Sequence, residues 1–434
     1  MVLWKFLCLT DLERKVGKRM QNEILAQFDE KEAIKLALEM ARYESYSGNE
    51  KGVAEYLAGE MERMGYQVEL QEVEKDRPNV IGRVRGAGGG PSFMFNGHMD
   101  IDPIPMGYGK DPWDIRAEGR RLYGHGLKNM KAGVVSMVVA GAAIKRAKIP
   151  LKGDLIVASV VGELQGGIGT VDLIRRGIIT DYGIVPEPTM LHIRTIHAGM
   201  CQFLIHTIGK ACWGGATHKQ KHVNAVEKMC KAMNALKSIK LTHTPRPDLP
   251  ELPRIIMGNI MGGLTRDYLM WRPSYIPDFC TLTFEVRMVP GQTVEGIQTD
   301  IERSLNAIKA EDPDFEYEIE APPAIYREPW RGNKCPMPAL DLPLDHELVG
   351  VVRKYHQIVT GQEPPGIGFY DPGSYAGADS GHLFQAGCAC LNYGPTGHDI
   401  YENSVDIDMM MTCAKVMALT AAEITTRGKG QTRR

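Results

Sequence analysis

Apolar residues recur at helical spacing between Glu32 and Met64: Ile34, Ala37, Leu38 and Ala41, then Val53, Tyr56, Leu57 and Met61. A turn containing Ser45, Ser47 and Gly48 divides them, so the spacing predicts two helices. Strand-like runs then alternate with helical ones. Strands are expected at Asn79–Arg83, Ser92–Asn96, Asp154–Val161 and Tyr182–Val185, with helices at Lys131–Ala147 and near Thr170–Arg176. That alternation argues for an α/β fold, a parallel or mixed sheet covered by helices. After about Ala198 the pattern changes. Strands at Met200–Ile208, Ile255–Ile260 and Phe279–Val289, with helices at Asn224–Ser238 and Val294–Ala310, read as a small α+β unit ending near Pro322–Pro323. From Asp345 the helix–strand alternation resumes. The pattern alone fits three consecutive domains as well as one α/β domain interrupted by an insertion.

Composition narrows the class. The chain has 434 residues, 43% hydrophobic and 24% charged, with 47 Gly and 26 Pro, which is ordinary globular usage. Lys plus Arg number 51 and Asp plus Glu 53, for a net charge of −2. A balance that near zero argues against a non-specific partner of nucleic acid or of a membrane surface. The nine Cys are sparse and irregularly spaced, and the Cys388-x-Cys390 pair has no second pair to complete a zinc knuckle. Reduced thiols and a cytoplasmic location are expected. Met1–Leu9 is apolar except for Lys5, but the charged segment from Asp11 follows at once, so a short leader to a packed helix is expected rather than an export signal. No run reaches the ~18 apolar residues of a membrane span.

The candidate chemistry lies at strand ends. His98-Met-Asp100 follows the apolar Phe93-Met-Phe95 run; such a His suits a metal ligand whose second ring nitrogen is held by the carboxylate. Tyr123-Gly-His-Gly-Leu-Lys-Asn129-Met-Lys131 is a glycine-rich turn opening a helix, without the spacing of a phosphate-binding loop. Glu163 in Val160-Val-Gly-Glu163-Leu164-Gln165-Gly-Gly167, Glu187 in Val185-Pro-Glu187-Pro-Thr189, and His398 in Tyr393-Gly-Pro-Thr-Gly-His398 complete the set. Each taken alone has a structural reading, as a satisfied surface His or a helix start. Together they place His, Asn, Glu and Glu on the rim where α/β sheets bind ligands.

These motifs, in this order from about Glu32 to Ala422, resemble the dinuclear metallohydrolase family of aminoacylases, acetylornithine deacetylase, succinyl-diaminopimelate desuccinylase, carboxypeptidase G and related dipeptidases. Further matches are Gly209-Lys-Ala through Asn224-Ala225 and Arg287-x-x-Pro290-Gly-Gln-Thr293. The resemblance implies a catalytic α/β domain, a mixed sheet with helices on both faces, interrupted by a smaller α+β lid domain. The expected divisions are an N-terminal extension (1–30), a first catalytic segment (31–198), the inserted lid and dimerisation domain (199–325) and a second catalytic segment (326–434). It also implies a homodimer through the lid or a higher homo-oligomer.

The chain departs from the family pattern in two places. Asn129 stands where relatives have an acidic bridge between two metals, and Leu164 stands where they have a second-metal Glu. The resemblance therefore implies one divalent metal per chain, Mn or Zn with Co as a third option, held weakly by His98, Glu187 and the Asn129 carbonyl. His398 remains as a metal or substrate contact. Glu163 takes the place of the general base, and Asp100 is grouped with it as catalytic. Arg287 takes the place of a substrate-carboxylate anchor; a strand-end ion pair is its other reading. Trp213 replaces a lid His, with His218 and His222 near it as substitutes, and it would wall a flat ring or pack in the lid core. Loss of two oxyanion-stabilising devices is similar to the situation in a family member that hydrolyses an aromatic amine. The reaction expected is deamination of an electron-poor aromatic amine with a carboxylate, 5-nitroanthranilate to 5-nitrosalicylate plus ammonia, in aromatic compound degradation. The alternatives are an amidase, deacylase or dipeptidase, and a non-catalytic member with a binding role.

Overall fold

The computed structural model describes residues 17–106, 111–321, 332–397 and 403–428. The chain divides into two compact units. The first comprises residues up to Ile196, then Leu340–Gly373 and Ala378 onward; the second comprises His197–Ala339 with Ser374–Gly377. The second unit thus begins close to the change of pattern near Ala198 and extends past the Pro322–Pro323 break, which itself lies outside the described residues. Most of the N-terminal extension, 1–16, also lies outside them.

In the first unit the two amphipathic helices form as α1 (Glu30–Ala41) and α2 (Lys51–Arg63). Asp29 caps α1 by accepting from the Lys31 and Glu32 amides, which satisfies donors a helix start leaves unpaired. The sheet is built from β1 (Gln67–Glu74), β2 (Arg77–Val84), β3 (Phe93–His98), β4 (Leu155–Val160), β5 (Tyr182–Val185), β6 (Ile193–Arg194), β7 (Ile367–Gly368) and β8 (Ala389–Asn392). Its spatial order is β1-β2-β4-β3-β5-β8-β6-β7. β4, β3, β5 and β8 run parallel to their neighbours in that stretch, and β1 and β2 add an antiparallel edge. β3, β4 and β5 are buried throughout, as strands covered on both faces must be. Their carboxyl ends share one edge, and His98, Glu163 and Glu187 follow from those ends.

Helix α3 (Ala132–Arg146) lies under this sheet with Ala132 to Ile144 buried all round. The stretch Leu127–Arg146 is long and apolar enough to cross a membrane, which the apolar run lengths in the sequence do not suggest, and 89% of its most apolar window is buried inside the protein. It packs as a core helix. Gly133 is required there: a Cβ would lie 2.2 Å from the Pro186 carbonyl oxygen. Gly394 presses from the other direction, where a Cβ would lie 2.2 Å from the Glu187 oxygen. The backbone that carries Glu187 is therefore gripped between two glycines. Helix α4 (Ile168–Arg175) follows the Glu163 turn, α5 (Glu347–Thr360) and α6 (Asp379–Gln385) precede the last central strand, and α7 (Ile407–Thr425) packs on α3.

The second unit has a four-stranded sheet of strands Gly199–Ile208, Arg254–Gly263, Phe279–Met288 and Glu316–Glu320. All its pairings are antiparallel, and Arg254–Gly263 lies at one edge. Helices Ala225–Lys237 and Val294–Glu311 enclose a separate apolar core with it, around Phe203, Phe284, Met229 and Ile301. All cysteines among the described residues are free thiols.

Candidate metal centre

His98 ends β3 fully buried. Its Nδ1 lies 2.8 Å from the Asp100 carbonyl oxygen. That oxygen only accepts, so Nδ1 carries a ring proton and Nε2 is the nitrogen left to face the rest of the cluster. Nε2 faces three oxygens: Asn129 Oδ1 at 3.3 Å, Glu163 Oε2 at 3.9 Å and Glu187 Oε1 at 4.0 Å. Burial alone would pull the imidazole down, but Asp100, Glu163 and Glu187 carry it well above its usual range. The cluster therefore attracts positive charge.

Asp100 organises two neighbours at once. Its carboxylate accepts from the Glu163 and Leu164 amides, both at 3.1 Å, and from the Ser47 hydroxyl at 2.8 Å. Burial pushes its pKa up, but these bonds and His98 hold it below the usual value. With its oxygens so used, Asp100 orients His98 and the Glu163 turn. That turn has left-handed backbone at Gly162, Gly166 and Gly167, with φ of 66°, 92° and 77°, conformations glycine adopts freely. Glu163 stands at 6% exposure. Burial, reinforced by Glu187, Asp379 and Asp100, holds its carboxyl well above the usual range, with His98 opposing. The adjacent Leu164 lends its amide but offers no side-chain donor atom.

Asn129 lies in the glycine-rich turn, which packs tightly: a Cβ on Gly126 would meet Ile101 at 2.4 Å. Next to it Lys131 is fully buried and donates from Nζ to the Tyr43 carbonyl at 2.7 Å. Burial lowers its pKa to about 7.

Three residues of this region went unseen in the sequence. Asp379, at the start of α6, has both carboxylate oxygens sealed from solvent with no well-formed hydrogen bond. Burial raises it to about 7, with Glu187 and Asp100 adding and His98 and the Thr170 hydroxyl opposing. His382, one turn on, faces the Gly166 carbonyl at 2.8 Å through Nε2 and is held neutral, its pKa lowered to about 4 by burial. Arg194, on β6, is 3% exposed. Its Nε donates to Asn392 Oδ1 at 3.1 Å and Nη1 to the Gly373 carbonyl at 2.5 Å. The Ala378-Asp-Ser-Gly-His382 spacing, which puts Asp and His on one face of a helical turn, was the available signal for the first two.

A profile of peptidase family M20/M25/M40 matches residues 94–423, across both units. The chain belongs to that family. It is 26% identical over 423 residues to the N-formyl-4-amino-5-aminomethyl-2-methylpyrimidine deformylase of Bacillus subtilis, covering 89% of this chain and 93% of that protein. Acetylornithine deacetylase of Aliivibrio salmonicida is 29% identical over 295 residues, covering 66% and 73%. Among solved structures, the dipeptidase Dug1p of Saccharomyces cerevisiae superposes with a TM-score of 0.73 at 12% identity, over 95% of this chain and 99% of that one. This family M20 chain is accordingly a hydrolase of carbon–nitrogen bonds.

The first-unit residues fit a cation. Two donors bound to one ion at ~2.0–2.2 Å stand roughly 3–4 Å apart, and the oxygens around His98 Nε2 lie at such separations. Glu163, Glu187, Asp100 and Asp379 crowd around the single imidazole of His98. Among the described residues no trio of His, Cys, Asp and Glu alone has a metal-holding arrangement; the set here is His98, Glu187 and an amide oxygen. His398 lies outside the described residues.

The other expected site residues belong to the second unit. Arg287 is engaged: Nε meets Glu285 Oε1 at 2.6 Å and Nη1 donates to the Tyr375 carbonyl at 3.2 Å. Trp213 is 52% exposed and pairs through its backbone with Tyr275. His218 is exposed, and His222 is half-buried with Nδ1 3.1 Å from the Gln220 carbonyl.

Proposed function

We propose that this chain hydrolyses a C–N bond with one weakly held divalent cation per chain, Mn²⁺ or Zn²⁺, on His98, Glu187 and the Asn129 carbonyl. The observation that carries the reading is the ring of oxygens around His98 Nε2, with Asn129 and Leu164 leaving no acidic pair for a second ion. When bound, such a cation supplies Lewis-acid polarisation and makes water more acidic. Glu163, held above the usual carboxyl range, takes the proton of the attacking water and delivers it to the departing nitrogen. Asp100 fixes His98 and the Glu163 turn through this exchange. The substrate is a small molecule with a carboxylate, the protein works in the cytoplasm, and two copies associate through the second unit.

Amide cleavage is the first form of the reaction, supported by the deformylase and deacetylase relatives. The second is release of ammonia from an aromatic amine such as 5-nitroanthranilate, favoured by Asn129 and Leu164. With fewer charges to stabilise a carbonyl oxyanion, a reaction that spreads charge into a ring fits the site. The test is a panel with added Mn²⁺: an N-formyl aminomethylpyrimidine, N-acetylornithine and 5-nitroanthranilate. Acetate or formate release assigns the amide form, formate from the pyrimidine also removing the carboxylate from the proposed substrate, and ammonia from 5-nitroanthranilate assigns the second. Two tightly bound metals by elemental analysis overturn the one-cation centre, and no turnover leaves a binding role.

A further inference from the structure

Arg194 is a buried cation with a donor to spare. Nε and Nη1 are bonded to Asn392 and Gly373, while Nη2 is sealed from solvent and has no hydrogen-bond acceptor among the described residues. Its two bonded partners are neutral and, among the described residues, no carboxylate pairs with it; burial lowers its pKa, and the charges of Glu187 and Glu163 oppose that. Asn392 is itself fixed, its Oδ1 accepting also from the Ser380 hydroxyl at 3.1 Å, one residue from Asp379. A guanidinium held at two points, with the third N–H group unbonded, is preorganised for an oxyanion. An unmet buried donor costs free energy until an acceptor arrives. Arg287 is already paired to Glu285 and is less available for that task.

We infer that Arg194 anchors the carboxylate of the substrate through Nη2, and so determines specificity from within the catalytic unit. This rests on the hydrolase reading above for its substrate class, but it is a statement about binding and is tested without turnover.

The experiment titrates the full-length Mn²⁺-loaded protein calorimetrically with two isosteric probe pairs: anthranilate against anthranilamide, and N-acetylglycine against N-acetylglycinamide. The wild type is expected to bind at least one carboxylate tenfold or more tighter than its amide. Arg194→Met removes that preference, Arg194→Lys leaves a few-fold remnant, and Arg287→Met retains it. Circular dichroism and thermal melting check folding; if the Met variant does not fold, the Lys variant decides. An unchanged preference in either folded Arg194 variant, or no preference in the wild type, overturns the inference. A preference lost with Arg194 in a protein that turns over nothing in the panel keeps the anchor and removes the hydrolytic reading.

Discussion

At the scale of single residues, the centre depends on a division of labour among carboxylates that look alike in sequence. Asp100 is held below the usual carboxyl range and saturated with hydrogen bonds, whereas Glu163 is nearly bare and burial raises its proton affinity. Environments that push two carboxylates apart separate an orienting group from a proton carrier. Glu163→Gln is accordingly expected to lower kcat by ~10²–10⁴ with an unchanged melting temperature and Mn²⁺ uptake, read by steady-state kinetics and calorimetry. A variant of full activity would remove Glu163 from the chemistry. His98, Asn129, Glu163 and Glu187 were legible because each follows an apolar run or a glycine turn. Arg194 and Asp379 were not, since they sit in elements of two and seven residues, too short to show a period. For Arg287 a signal was present: Glu285 is two positions earlier on the same strand, where side chains share a face.

At the scale of elements, the long periodic segments were readable and their neighbours were not. Phe93–Asn96, Leu155–Val160 and Tyr182–Val185 form strands where continuous apolar runs predicted them. β1, a polar edge strand with a single buried position, carries no such run. The contact between α3 and the Pro186–Glu187 backbone is also invisible in sequence, because a glycine inside a helix does not announce what it touches. Gly394→Ala is expected to shift the Glu187 backbone, destabilise by ~1–3 kcal/mol as overpacking does, and reduce both Mn²⁺ affinity and kcat at least tenfold. Gly350→Ala is the matched control. It is an exposed position in α5 with nothing within 4 Å of an added Cβ, so it should stabilise by about 0.5–1 kcal/mol. Equal effects of the two would show that Glu187 does not depend on the glycine grip.

At the scale of the whole molecule, the near-zero net charge says little, because the charge that matters is the local excess of carboxylates at the sheet rim. The second unit carries a feature of a different kind. Its edge strand Arg254–Gly263 exposes Ile256 and Ile260 at 41% and 48%, and Met270 and Trp271 of the same unit stand at 88% and 60%. An open, apolar strand edge invites pairing, and a second copy of the chain is the proposed occupant. Light scattering should give twice the chain mass, and Ile256→Lys with Ile260→Lys should give single chains. A wild-type protein of single-chain mass would exclude the pairing.

The insertion begins and ends at one place. The Leu342 amide donates to the Thr195 carbonyl at 2.9 Å, so the segments that leave and re-enter the first unit are bonded neighbours. To the catalytic unit, His197–Ala339 is therefore one long loop closed at its base, with Ser374–Gly377 a second, short departure from it. Closure entropy grows only with the logarithm of loop length, about 0.6 kcal/mol per doubling. The length of His197–Ala339 by itself therefore weighs little on the stability of the catalytic fold.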